Sequence, residues 1–160
     1  MTHPASYSGN IAALVQRWTE QKAIDEKEGK HTFIANGQCA RLPQALTNVG
    51  HTSRWQPGDR VIDVTRTLRP GTVIANFLFE YDKAWFPNSH GWHAALFVKA
   101  EGFSMTTGRP SKIWLFDQYL GKKKKTPGVR WINCYTDEHV RTYGFSDSDN
   151  GSAFFVVNTP

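Results

Sequence analysis

An α+β domain, with N-terminal helices packed on a mostly antiparallel sheet, is the fold class this sequence predicts. Apolar residues recur at helical spacing only before Gly50. Beyond it the chain breaks into short β-branched or aromatic runs punctuated by Gly, Pro, Asn and Asp. No helical stretch of roughly 10–15 residues separates those runs, as a βαβ array would require. A length of 160 residues suits one sizeable core, so a single domain over residues 1–160 is expected.

Ile11, Leu14, Val15 and Trp18 stand at i, i+3, i+4 and i+7, which predicts an amphipathic first helix with Gly29 as its stop. A second helix is expected over residues 39–48, burying Leu42, Ala45 and Leu46. Pro43 suits only a first helical turn, so this helix should start late or be distorted near its mouth. Strands are expected over residues 60–64, 71–77, 93–98, 112–117, 129–133 and 153–157.

Hydrophobic residues at 39% and charged residues at 21% fit a globular chain and exclude disordered or fibrous classes. A net charge of +5 favours polyanionic partners such as nucleic acid, anionic membranes or bacterial wall polymers. Nucleic acid is the weakest of these, because no RNP-like, zinc-ribbon or helix-turn-helix signature occurs. No apolar stretch reaches the roughly 20 residues of a membrane span, and the N-terminus reads as no signal peptide. The run from Lys122 to Lys125 is expected to tip a loop or hairpin, solvated or in contact with an anion.

Chemistry concentrates at three places. In ANGQCARL a glycine precedes a thiol at the mouth of the second helix. Free N–H groups there would stabilise a Cys39 thiolate and an oxyanion, Gly37 would permit the tight turn, and Gln38 could add a donor. On local features alone, Cys39 fits a buried structural cysteine as well as a nucleophile. Of the six histidines, His93 is the one held at the start of an apolar strand, HAALFV. The next strand ends in Asp117, and an antiparallel pairing would set that carboxylate beside His93 as its orienting acceptor. Asp117 could equally be a turn residue. Asn88, Trp92, Gln118 and Tyr119, which flank the histidine and the acid, are candidate substrate contacts. Cys134 reads as a small buried hydrophobe, with a bridge to Cys39 the less favoured alternative.

The order of NGQCARL, HGWHAALFV and IWLFDQYLG resembles papain-like cysteine hydrolases, in detail the small bacterial CHAP and NlpC type of amidase and endopeptidase. WQPGDRV and RPGTVIANF are also similar to that group, particularly to small amidases related to interbacterial toxins. The resemblance covers roughly residues 34–157. It implies a papain-like fold and cleavage of amide bonds in peptidoglycan stem peptides, with no cofactor. Cys39 would be the nucleophile, His93 the general base and then acid, and Asp117 the group that holds the imidazole. It further implies delivery by a type VI secretion apparatus and a cognate immunity protein. The aromatic insertion before the histidine strand, with Tyr81, Trp85 and Phe86, would shape substrate choice together with Trp92.

Three rivals stand beside this reading. His90 and His93 have HxxH spacing, but no HExxH accompanies them, so a catalytic metal is not expected. A non-catalytic module binding an anionic wall polymer or a protein partner would use the same charge and aromatics. An acyltransferase or deamidase would use the same triad.

Overall fold

The computed structural model describes residues 1–121 and 123–160; of the lysine run, Lys122 lies outside the described residues. In chain order the elements are β1 (His3–Pro4), α1 (Ile11–Glu28), α2 (Arg41–Leu46), β2 (Gln56–Arg60), α3 (Val61–Val64), β3 (Val73–Ala75), β4 (Leu78–Glu80) and β5 (Lys83–Trp85). They continue with β6 (Ala94–Glu101), β7 (Lys112–Tyr119), β8 (Lys125–Asn133), α4 (Asp137–Tyr143) and β9 (Phe155–Thr159). Among the described residues, the strand order is β1-β9-β3-β6-β7-β8, with β2 also on β9, and every pairing is antiparallel. The α+β class with N-terminal helices and an antiparallel sheet is therefore as expected.

The sheet is covered on both faces. Val73, Ala75, Ala94, Leu96, Phe116 and Val157 face the layer built from Leu14, Leu42 and Trp55, to which Ile11, Val15 and Trp18 of α1 add. Ile74, Ala95, Phe97, Ile113, Leu115 and Val156 face the other way, under Val61 and Phe154. Alternate residues of each strand thus enter opposite cores, which is why β6 reads as an unbroken apolar run.

The first helix is as the periodicity predicts. Asn10 caps it by accepting from the Ala13 N–H, and Gly29 ends it in the left-handed conformation at φ 67°. Other elements differ from expectation. Residues 60–64 are not a strand: β2 pairs with β9 up to Arg60, and Val61–Val64 then turn as α3, which lets Val61 cover the second face. The second helix is only Arg41–Leu46, with Pro43 in its first turn where its missing N–H costs no bond. The insertion before the histidine strand is a hairpin, β4–β5, turning at Tyr81 and Asp82 with φ 49° and 61°.

Candidate active site

Cys39 sits in a turn just before α2, closed by an Arg41 N–H to Gln38 carbonyl bond of 3.1 Å. Two buried polar side chains fix the chain that leads into this turn. Asp25, on α1, accepts from the Thr32 N–H and hydroxyl at 2.8 Å each. Gln118, on β7, accepts from the Ile34 N–H at 2.8 Å and donates to the Ile34 and Gln38 carbonyls at 2.8 and 3.0 Å. Gly37, at φ 86°, would be strained with a side chain, and a Cβ there would crowd Leu120 and Phe33 at 3.0 Å each.

His93 precedes β6 and is nearly buried. The buried Asn76 side chain accepts from its N–H at 3.2 Å and donates to the Asp147 and Ala153 carbonyls, while the Asn76 N–H donates to the His93 carbonyl at 3.0 Å. Its ring is thereby held between two functional groups. Nε2 lies 2.7 Å from Asp117 Oδ2. The Cys39 thiol neighbours the same imidazole, and each shifts the other's proton affinity, with Nδ1 the ring nitrogen that Asp117 leaves free. The Cys39 Sγ also lies 3.7 Å from the Trp92 carbonyl.

Asp117 is fully buried and is held by cations as well as by the imidazole. Arg130 Nε donates to Oδ2 at 2.8 Å, and Lys125 Nζ stands 3.0 Å from Oδ1. Oδ1 accepts no well-directed hydrogen bond, because the Lys125 ammonium donates to the carbonyls of Asp117, Thr126 and Gly128. The Lys125–Oδ1 contact is thus mainly one of charge.

These neighbours set the proton affinities. Burial pushes the Asp117 carboxyl up, but the hydrogen bond and charge of His93, with Lys125 and Arg130, outweigh it and hold it far below the usual carboxylate range. Burial pushes His93 down, and the bonds to Asp117 and Cys39 reverse that and raise it to about 9. For Cys39, burial raises the thiol, but His93 and the Ala94 and Ala40 N–H groups bring it below its ordinary value. The three groups together favour a thiolate–imidazolium pair beside a carboxylate, the charge state of a nucleophile with its proton already transferred.

Residues 10–157 match the family model described as domesticated amidase effector 2. The chain belongs to that family. No curated protein and no solved structure matches it significantly. The matched segment of this amidase effector begins just before α1 and ends within β9, so it includes all three residues.

In this amidase effector, a cleft of about 680 Å³ opens beside Cys39 and His93. Gln38, Asn88, Trp92 and Tyr119 all line it, so these sequence-predicted residues are brought together. The Gln38 side chain is exposed there, and the Cys39 N–H has no hydrogen-bond partner among the described residues. The Asn88 amide donates to the Thr52 hydroxyl at 2.8 Å, which leaves its oxygen toward solvent.

Several expectations are corrected. Gln118 does not line the cleft: it shares the helix-facing side of β7 with Phe116, is fully buried, and serves the Cys39 turn instead. Gly37 provides the turn but no oxyanion donor, since its N–H is taken by the Ile34 carbonyl at 3.2 Å. Tyr81 and Trp85 lie on the β4–β5 hairpin and do not line the cleft, whereas Phe86 does, packed on Trp55. Lys125 is no solvated loop residue but opens β8 and points to Asp117. In keeping with the favoured reading, Cys134 and Cys39 are both free thiols, and burial pushes Cys134 up to about 12. Among the described residues, no group of three His, Cys, Asp or Glu side chains is placed to hold a metal ion.

Sequence reasoning missed Asn76, Lys125 and Arg130. Asn76 left a trace, an amide closing the apolar run TVIAN. The two cations left none, because their meeting with Asp117 depends on the register of β8 against β7, where Asp117 faces Gly128.

Proposed function

We propose that this chain is a peptidoglycan amidase that cleaves amide bonds of stem peptides through Cys39, His93 and Asp117, and that it acts as an antibacterial effector delivered by a type VI secretion system. The observation that carries the catalytic part is the single buried imidazole, hydrogen-bonded to a buried carboxylate and electrostatically coupled to the neighbouring Cys39 thiol. The papain-like order of nucleophile, histidine and acid agrees with it, as does the amidase named by the family.

The Cys39 thiolate attacks the amide carbonyl, and the oxyanion that forms is met by the Cys39 N–H and the Gln38 side chain. The His93 imidazolium then gives its proton to the departing nitrogen, leaving a thioester on Cys39 and a free amine. Neutral His93 next takes a proton from water. The hydroxide adds to the thioester, Cys39 leaves as thiolate, and the acyl group departs as a carboxylic acid. Asp117 keeps Nε2 protonated throughout, so that Nδ1 does the proton transfers.

Mass analysis of peptidoglycan fragments tests this reading. Incubation in heavy-oxygen water should yield one new amine and one labelled carboxyl per cleaved bond, and none with Cys39→Ala. Unlabelled products joined to a second amine would identify a transferase, and intact fragments would refute the wall substrate.

A further inference from the structure

We infer that the cleft carries a subsite for a substrate carboxylate, built on Arg130, so that the amides it takes are those flanked by a free carboxylate. The substrate part rests on the amidase reading above; the subsite itself rests on geometry and charge.

Arg130 projects from β8 into the wall of the cleft. Its Nε is fixed by Asp117 Oδ2, the atom that also binds His93, so only one oxygen separates guanidinium and imidazole. The guanidinium carbon lies 5.5 Å from the centre of the Tyr119 ring, which also borders the cleft. Among the described residues, neither Nη atom makes a hydrogen bond. A guanidinium offers five N–H groups in a planar fork, and a carboxylate is the anion whose two oxygens match such an edge. Among the described residues, Arg130 is thus held at Nε and unengaged at its two Nη atoms.

The charges point the same way. Thiolate and imidazolium cancel, and Asp117 cancels one of its two cations. One positive charge is left over. Lys125 is turned inward to three carbonyls, so the uncompensated charge belongs to the cleft side, where Arg130 stands. Lys123, exposed on the cleft border, adds to it, against Asp149 as the acid lining the same cleft. A carboxylate bound here would be held beside the reacting amide without contacting the thiolate.

Alkylation of Cys39 measures the subsite without any need for amidase activity. Iodoacetate and iodoacetamide both lose iodide to the thiolate and leave a thioether, and they differ only in the carboxylate. The ratio of their rates cancels any change in thiolate fraction, which matters because Arg130 touches Asp117. At low salt the ratio of iodoacetate to iodoacetamide rates for the wild-type chain should exceed that of mercaptoethanol by about tenfold or more, the size expected of one charge within about 12 Å at an effective dielectric near 20. It should fall to within about threefold of mercaptoethanol in Arg130→Gln. A wild-type ratio equal to that of mercaptoethanol, or one unchanged in Arg130→Gln, overturns the proposal. Should that variant not fold, Arg130→Met takes its place, keeping an apolar stem without the charge: the ratio must fall, and an unchanged ratio overturns the assignment. A second measurement compares stem peptides ending in a free carboxylate with their carboxamides. The wild type should favour the carboxylate through KM, and Arg130→Gln should lose that preference; equal KM values for the two peptides overturn it. A raised alkylation ratio in a chain that cuts no peptide would retain the subsite and reject the amidase substrate.

Discussion

Burial alone would make His93 a weak base, and Asp117 with the Cys39 thiolate reverses the sign, so the imidazole keeps its proton up to about 9. The thiol moves in the opposite direction, below its ordinary value. A thiolate–imidazolium pair is favoured between the two, so kcat/KM of the proposed amidase should trace a bell: rising as Cys39 ionises, falling near pH 9 as His93 loses its proton. A single rise centred at the ordinary thiol value of about 8.5 in a pH series would contradict this. Cys134, held at about 12, should resist alkylation at neutral pH, so one equivalent of iodoacetamide should label Cys39 alone and abolish activity. Cys39→Ala and His93→Ala should each remove turnover. Asp117→Asn should leave a measurable remnant, but at a price in stability: it strands Lys125 and Arg130 against a buried neutral amide, which costs about 3–5 kcal/mol. The same carboxylate fixes the acid limit. Its folded value lies below its ordinary 3.8, so its contribution is complete above that pH and is lost as pH falls toward the depressed value. Denaturant melts of wild type and Asp117→Asn should accordingly converge in strong acid.

At the scale of elements, the site is a meeting of β6, β7 and β8 with one turn, and the sequence discloses the first two better than the rest. A histidine opening one strand and an acid near the close of the next meet in any antiparallel pairing, and β6 and β7 pair in that way from Leu96↔Phe116 to Glu101↔Lys112. Gln118 is harder to read, since it looks like a polar residue beside the candidate orienting carboxylate. Alternation from the buried Phe116 puts it instead under the helical layer, where an amide survives only if fully bonded. The β-branched residues 60–64 read as a strand because propensity is local, while the need to cover the second face of the sheet is not. Gln118→Leu should orphan the Ile34 N–H and leave the Ile34 and Gln38 carbonyls only their turn bonds from Gly37 and Arg41, lowering stability by on the order of 2 kcal/mol. It should also lower kcat more than tenfold through a loosened Cys39 turn. Unchanged stability by chemical denaturation, with full activity, would show that the turn holds without it. Gly37→Ala should act through the same turn, since an alanine at φ 86° is strained and its Cβ meets Phe33 and Leu120.

At the scale of the whole molecule, the question is where such chemistry is put to use. The net charge of +5 favours association with a polyanion, as the proposed wall substrate would be, and no helix among the described residues is long and apolar enough to cross a membrane. The positive cleft border beside Cys39 suits the same substrate at shorter range. A thiolate amidase with a peptidoglycan substrate is harmless wherever that polymer is absent, so its toxicity should depend on compartment. Expression in a bacterium with an added export signal should lyse the cells, while the same chain retained in the cytoplasm should not. Export of Cys39→Ala should be tolerated, which separates catalysis from mere binding of the wall. Added salt should weaken wall association of the purified chain, because the attraction between exposed charges is screened within about 8 Å at physiological ionic strength. If cytoplasmic expression kills as efficiently as export, the wall is not the target, and the bond that Cys39 attacks lies inside the cell.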